Sequence, residues 1–147
     1  MNWKTEAMEK LRRYDAMCRA KENLPLELRR LEAEYTAIHG GMADGIGGGS
    51  RNVRSREDRM LNNVMTRQQL TWSLDQARSW TDLVDRALSA LSSDEQLILR
   101  RMYILPQSGA IDRLMEELGM ERSSIYRHRD KALSKFTLSL YGAQESN

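Results

Sequence analysis

The sequence reads as an all-α protein, and three of its features say so. Phe occurs once and Pro twice, while Leu, Met and Arg are common, a balance that favours helix over strand. Apolar residues recur at steps of three and four along most of the chain, the spacing of one helix face. No segment offers more than a few residues of strand pattern, and there is no internal repeat. The expected architecture is an N-terminal helical hairpin of coiled-coil-like helices followed by a C-terminal helix-turn-helix domain.

Apolar residues are 40% of the 147 and charged residues 30%, the composition of a folded chain rather than a disordered one. The formal net charge of +2 is too small to argue for nucleic acid by itself, so the placement of charge must carry any such case. Cys18 is the only cysteine, which excludes a disulfide within the chain and fits a reducing compartment. The charged opening MNWKTEAMEKLRR lacks the apolar stretch of a signal peptide. No apolar run approaches the roughly 18 residues of a membrane span. The expected location is therefore cytoplasmic, with no membrane partner.

The first segment, 1–39, carries Trp3, Ala7, Leu11, Tyr14 and Cys18 at helical spacing, then Leu28, Leu31, Tyr35 and Ile38. Pro25 interrupts the two sets, so two helices or one kinked helix is expected. Residues 40–54 include GGMADGIGGGS and read as a flexible linker. A phosphate-cradling loop would need a preceding strand and Gly-Lys-Ser/Thr at its end, and neither is present. A long helix is expected over 55–91, with Ser55 as N-cap and Glu57 and Asp58 in its first turn. Leu61, Val64, Met65, Trp72, Leu74, Ala77, Trp80, Val84, Ala87, Leu88 and Leu91 trace its apolar stripe. Its length points to antiparallel or intermolecular packing, and the stripe leaves a homo-oligomer and an intramolecular partner equally open.

The last segment, 92–141, is the densest in signals. Ser92 and Glu95 form a capping box, Leu97, Ile98 and Met102 give an apolar face, and Pro106 ends that helix. Ala110 to Leu118 forms a short helix, closed at Gly119, where a positive φ is expected. A longer helix runs from Arg122 to Leu140, and the tail 142–147 is expected to fray. Short helix, glycine turn and longer basic helix is the layout of a helix-turn-helix. On the last helix, Ile125, Ala132, Phe136 and Leu140 share one side with Leu133 at its margin, while Ser123, Arg127, Asp130 and Ser134 lie opposite.

A small, polar, basic face suits the major groove of double-stranded DNA. Arg127 is expected to read a base, since arginine can donate two hydrogen bonds to guanine. Arg122 at the helix start is placed for a base or a phosphate, and Ser123, Ser124 and Tyr126 for hydroxyl contacts. Lys131 and Lys135 are expected on phosphates, which position without specifying sequence. Arg129 phases toward the buried side and is expected to pair with Glu116 or Glu117. His128 is expected as a packed edge residue. Asp130 stands beside Arg127, either holding it or blunting its field. With His39, His128 and Cys18 alone, no metal site has its ligands, and neither metal nor cofactor is expected.

The stretch LSSDEQLILRRMYI…LMEELGMERSSIYRHRDKALSKF resembles region 4 of sigma-70-type factors over about Leu91 to Phe136. It shares the Leu-Ser-x-x-Glu start, the Glu-Glu-Leu-Gly approach to the turn and the Lys-Ala-Leu-x-Lys close of the reading helix. Over nearly the whole chain, REDRMLNNVMTRQQL, ALSALSSDEQLILRRMYI, SSIYRHRDKAL and FTLSLYG resemble the RinA/ArpU-like transcriptional regulators of phages and integrated elements of Gram-positive bacteria. That resemblance implies a DNA-binding activator with a region 4-like reading head, with Arg122, Ser123 and Arg127 where region 4 meets bases. RNA polymerase is implied as a possible partner by the same analogy. Two departures stand out: Met115 where a small residue is usual, and Ser123 where an acidic one is common. The chain has no counterpart of the promoter-melting region, so it is not expected to act as a complete sigma factor.

Two functions follow as expectations. The first is a sequence-specific transcriptional regulator that inserts helix 122–140 into the major groove. The alternative is a helical interaction protein that binds RNA polymerase or a sigma factor without reading DNA. An enzyme is not expected, because no nucleophile with a base partner, metal cluster or nucleotide loop is visible, and the adjacent Glu116 and Glu117 point to different sides of a helix.

Overall fold

The computed structural model describes residues 1–43 and 50–143, the side chains of 41–43 and 50 excepted. The described residues form α1 (Trp3–Ala43), α2 (Ser50–Ser89), α3 (Ser93–Leu99), a π-helical turn (Arg100–Ile104), α4 (Ala110–Leu118) and α5 (Arg122–Tyr141), with no strand among them. The all-α class is thus the observed one. Among the described residues no helix is long and apolar enough to cross a membrane.

Asn2 starts α1, its side-chain oxygen accepting the Thr5 N–H at 2.8 Å. The helix is continuous through Pro25, so of the two expectations, two helices or one kinked helix, the single helix is the one observed. An interior proline costs about 3 kcal/mol through its missing N–H and its ring clash. Helix α2 begins at Ser50, so Ser55 is an interior residue and not the N-cap. Residues 50–54 contain neither glycine nor proline, and nothing in them stops the helix. The linker expected over 40–54 is therefore helical at both ends, and its middle, 44–49, lies outside the described residues, as do 144–147 of the tail.

The chain divides into two units: Met1–Cys18 with Ser79–Asn147, and Arg19–Arg78. In the first, Ala7 and Leu11 of α1 meet Val84, Ala87 and Leu88 of α2, Leu91, Leu99 of α3, Tyr103 and Ile104 of the π turn, and Ala132, Leu133 and Phe136 of α5 in one core. Polar side chains close its edges. The Trp80 indole N–H donates to the Lys10 carbonyl at 3.3 Å, and the Tyr14 hydroxyl donates to the Asp85 carboxylate. Burial, and then that bond to Asp85, push the Tyr14 hydroxyl well above the ordinary phenol range. The Trp3 and Tyr141 rings sit 4.8 Å apart, joining the first turn of α1 to the last of α5.

The second unit is a pair of antiparallel arms from α1 and α2, as the short connection between them requires. Its core is thin: Leu31, Leu74 and Ala77 are buried with one polar residue, Asn63. The Asn63 amide donates to the Leu31 carbonyl at 2.8 Å and accepts from Arg67 Nε at 2.8 Å. The Arg67 guanidinium lies 4.9 Å from the Tyr35 ring centre. A buried amide with both ends partnered fixes the register of two otherwise slippery helices.

Candidate nucleic-acid interface

Three short elements carry the candidate site. The capping box at the start of α3 is formed as the sequence predicts: Ser92 Oγ accepts from Glu95 N–H at 3.2 Å, and Glu95 Oε1 accepts from Ser92 N–H at 3.1 Å. Helix α3 does not run straight to Pro106. It passes into the π turn, where the Leu105 N–H reaches the Arg100 carbonyl at 2.9 Å. Residue 105 precedes a proline and leaves the helical backbone at φ −127° and ψ 72°, which ends the helix. Helix α4 closes on Gly119 at φ 63°, the left-handed conformation expected there. Met120 and Glu121 complete the turn, and α5 starts at Arg122.

A second small core, Ile98, Leu114 and Ile125, holds α3, α4 and α5 together, with Met102, Ile111, Met115, Leu118 and Met120 around it. Met115 thus fills the edge of this core. Its flexible thioether suits an irregular gap. Ile125, Ala132, Leu133 and Phe136 bury the inner side of α5, and Ser123, Arg127, Asp130 and Lys131 are exposed on its outer side. Leu133, placed at the margin by phase, is fully enclosed, and Leu140 is only half-buried.

The seven candidate residues do not share one condition. Arg127 and Lys131 are exposed, and neither meets a carboxylate among the described residues. Ser123 is exposed beside them. Arg122 is exposed but held, its guanidinium 3.1 Å from Asp112 of α4. Ser124 is half-buried, and its carbonyl accepts from His128 Nδ1 at 2.7 Å. That bond fixes His128 against the helix as an edge residue. Tyr126 is half-buried, with the Arg129 guanidinium 4.9 Å from its ring centre.

Lys135 is engaged elsewhere. Its ammonium lies 3.1 Å from Glu95 Oε1 and 3.0 Å from Oε2, across from α5 to the cap of α3. Burial pushes the Glu95 carboxyl up, but the Ser92 N–H, the Lys135 ammonium and the Ser92 hydroxyl outweigh it, and the net direction is down. The sequence offered no spacing rule for this contact, because the partners lie 40 residues apart.

Arg129 differs from expectation as well. It pairs with Asp130 at 2.9 Å, not with Glu116 or Glu117. Glu117 is taken by Arg101 at 2.9 Å. The Arg129 guanidinium lies over the Tyr126 ring and against the adjacent Asp130 carboxylate. Asp130 is thereby occupied, which leaves Arg127 without it. Arg113 of α4 was not singled out from the sequence; it is exposed, and its guanidinium donates to Gln107 at 2.8 Å.

Among the described residues no group of three His, Cys, Asp or Glu side chains is placed to hold a metal ion. Family models, curated proteins and solved structures yield no match to this chain.

Proposed function

We propose that the chain is a sequence-specific regulator of transcription that binds double-stranded DNA through α5, using α4, the Gly119 turn and α5 as a helix-turn-helix. One observation carries this reading. The outer face of α5 presents Arg127 and Lys131 free of carboxylates beside the small Ser123, opposite a fully packed inner face. A cation left unpaired on a rigid, narrow, polar helix face matches the donor requirement of a guanine edge. Arg127 reads the base and Lys131 contacts phosphate. Arg122 exchanges Asp112 for a phosphate or base as the helix docks, an exposed pair that costs roughly 0–1 kcal/mol to open. The motif resemblance to RinA/ArpU-like regulators supports the same reading and adds activation of phage or mobile-element genes.

The experiment is selection of duplexes from a random pool at moderate salt, with the Arg127→Ala protein in parallel. An enriched motif that broadens in the variant supports base reading by Arg127, at about 1–3 kcal/mol of discrimination. Lys131→Ala weakens all duplexes alike and lowers the salt dependence by roughly one charge. The same motif from both the parent and the Arg127→Ala protein would end the assignment of α5 as reader.

A further inference from the structure

The apolar positions of α2 do not all face its core. Leu74 and Ala77 are buried in the second unit, yet Leu61, Met65 and Trp72 of the same unit are 58%, 57% and 65% exposed. At about 100° per residue these three fall within about 40° of one another, on the side of the helix away from Asn63, Leu74 and Ala77. Gln68, Gln69 and Gln76 are exposed on the same strip. One charged residue between Leu61 and Gln76, Asp75, is exposed at its margin, as far in phase from the centre line as Gln69 on the other side. A strip that is apolar with amides along its middle and carries charge only at its edge has the composition of an interface centre with a polar rim.

We propose that this face of α2 binds the same face of a second copy of the chain, with the two helices antiparallel about a two-fold axis at Gln68 and Gln69. The strip is self-complementary in that register. Met65 and Trp72 stand equally far from the axis on either side, so each Met65 lies against the other copy's Trp72. A thioether on an indole is a favourable pairing, and a contact repeated in both directions is the signature of a two-fold interface. The glutamines meet at the centre, where two primary amides can hydrogen-bond to each other. Parallel pairing would instead stack Trp72 on Trp72 and Met65 on Met65.

The extent is sufficient. Six exposed side chains at about 100 Å² each remove roughly 600 Å² per copy, about 1,200 Å² in all, the lower bound of specific interfaces. The inference is independent of DNA binding and is tested without DNA.

The test is the mass of the full chain in solution, by sedimentation equilibrium over roughly 1–100 μM, a range that brackets the affinity of a lower-bound interface. The parent protein is expected as a dimer. Met65→Lys and Trp72→Glu each place one charge against an apolar partner and are expected to give monomer, with helix content unchanged by circular dichroism. The double variant Met65→Lys with Trp72→Glu is expected to recover dimer, because antiparallel pairing sets the new lysine against the new glutamate. A monomeric parent, dimers in both single variants, or no recovery in the double variant would each overturn the proposal. A polymerase subunit binding the monomeric parent through this face would assign the strip to that partner instead.

Discussion

Lys135 gives the most discriminating test of how this head is built. Replacing it with methionine keeps the aliphatic stem and removes the ammonium from Glu95. The magnitude follows from burial. An exposed ion pair contributes about 0.2–1 kcal/mol, and breaking a fully buried one costs about 3–5 kcal/mol. Glu95 is only 6% exposed, while the Lys135 side chain is 52% exposed and reaches solvent. The pair therefore falls between these limits, and Lys135→Met is expected to cost about 1–2 kcal/mol, roughly 2–8 °C in Tm for a chain of this size.

The pH dependence carries a sign. The Glu95 pKa is lowered on folding, so its contribution is present above the ordinary carboxyl value and is lost as pH falls through the lower folded value. The deficit of Lys135→Met is thus largest near neutrality and shrinks in acid. Thermal melts from pH 7 down to about 3, in a double-mutant cycle with Glu95→Gln, measure the coupling. Coupling near zero, with an unchanged Tm at pH 7 and weakened duplex binding, would refute the pairing and return Lys135 to the phosphate contacts.

Three further outcomes follow from the same geometry. Gly119→Ala forces a side chain into the left-handed region, although nothing lies within 4 Å of the added carbon, so the cost is backbone strain alone, about 1–2 kcal/mol in denaturant unfolding; a neutral result would place the turn elsewhere. Phe136→Ala removes a fully buried ring from the core shared by α1, α2 and α5, and should cost about 3–5 kcal/mol by chemical denaturation; a loss below about 1 kcal/mol would contradict that packing. Asp112→Asn releases Arg122 and removes a repelling carboxylate beside the proposed DNA face, so Tm should stay nearly constant while duplex affinity rises at low salt; weaker binding would take Arg122 out of the interface.

Much of the fold was legible because its signals are local. The Ser92–Glu95 capping box, the left-handed Gly119 and the inner face of α5 each rest on residues within a few positions of one another. What escaped the sequence depends on distance or on competition. Pro25 is a local breaker by its chemistry, yet it lies inside one helix of 41 residues. The apolar stripe of α2 read as one face, and the structure divides it into a buried side and an exposed strip around Leu61, Met65 and Trp72. Periodicity shows that a residue lies on a helix face, and only the partner helix decides which faces are covered. On α5 the sequence separated the buried face from the exposed one but could not see that Asp130 pairs with Arg129, or that Lys135 reaches back to Glu95.

These choices decide which cations are left for a polyanion. Of the basic residues on α5, Arg122, Arg129 and Lys135 each answer a carboxylate, and Arg127 and Lys131 do not. The pairing is a consequence of packing: Glu95 is buried by its cap and demands a counter-charge, and Arg129 lies over the Tyr126 ring and against Asp130. Helix α5 can hold that pattern only if it is rigidly seated. Its seat is made in part by Ala7 and Leu11, more than a hundred residues away in sequence, and by the Trp3–Tyr141 contact. The first turns of α1 are therefore part of the support of α5. Trimming them exposes one side of Phe136 and loosens the helix that carries Arg127, so duplex selectivity and thermal stability should fall together.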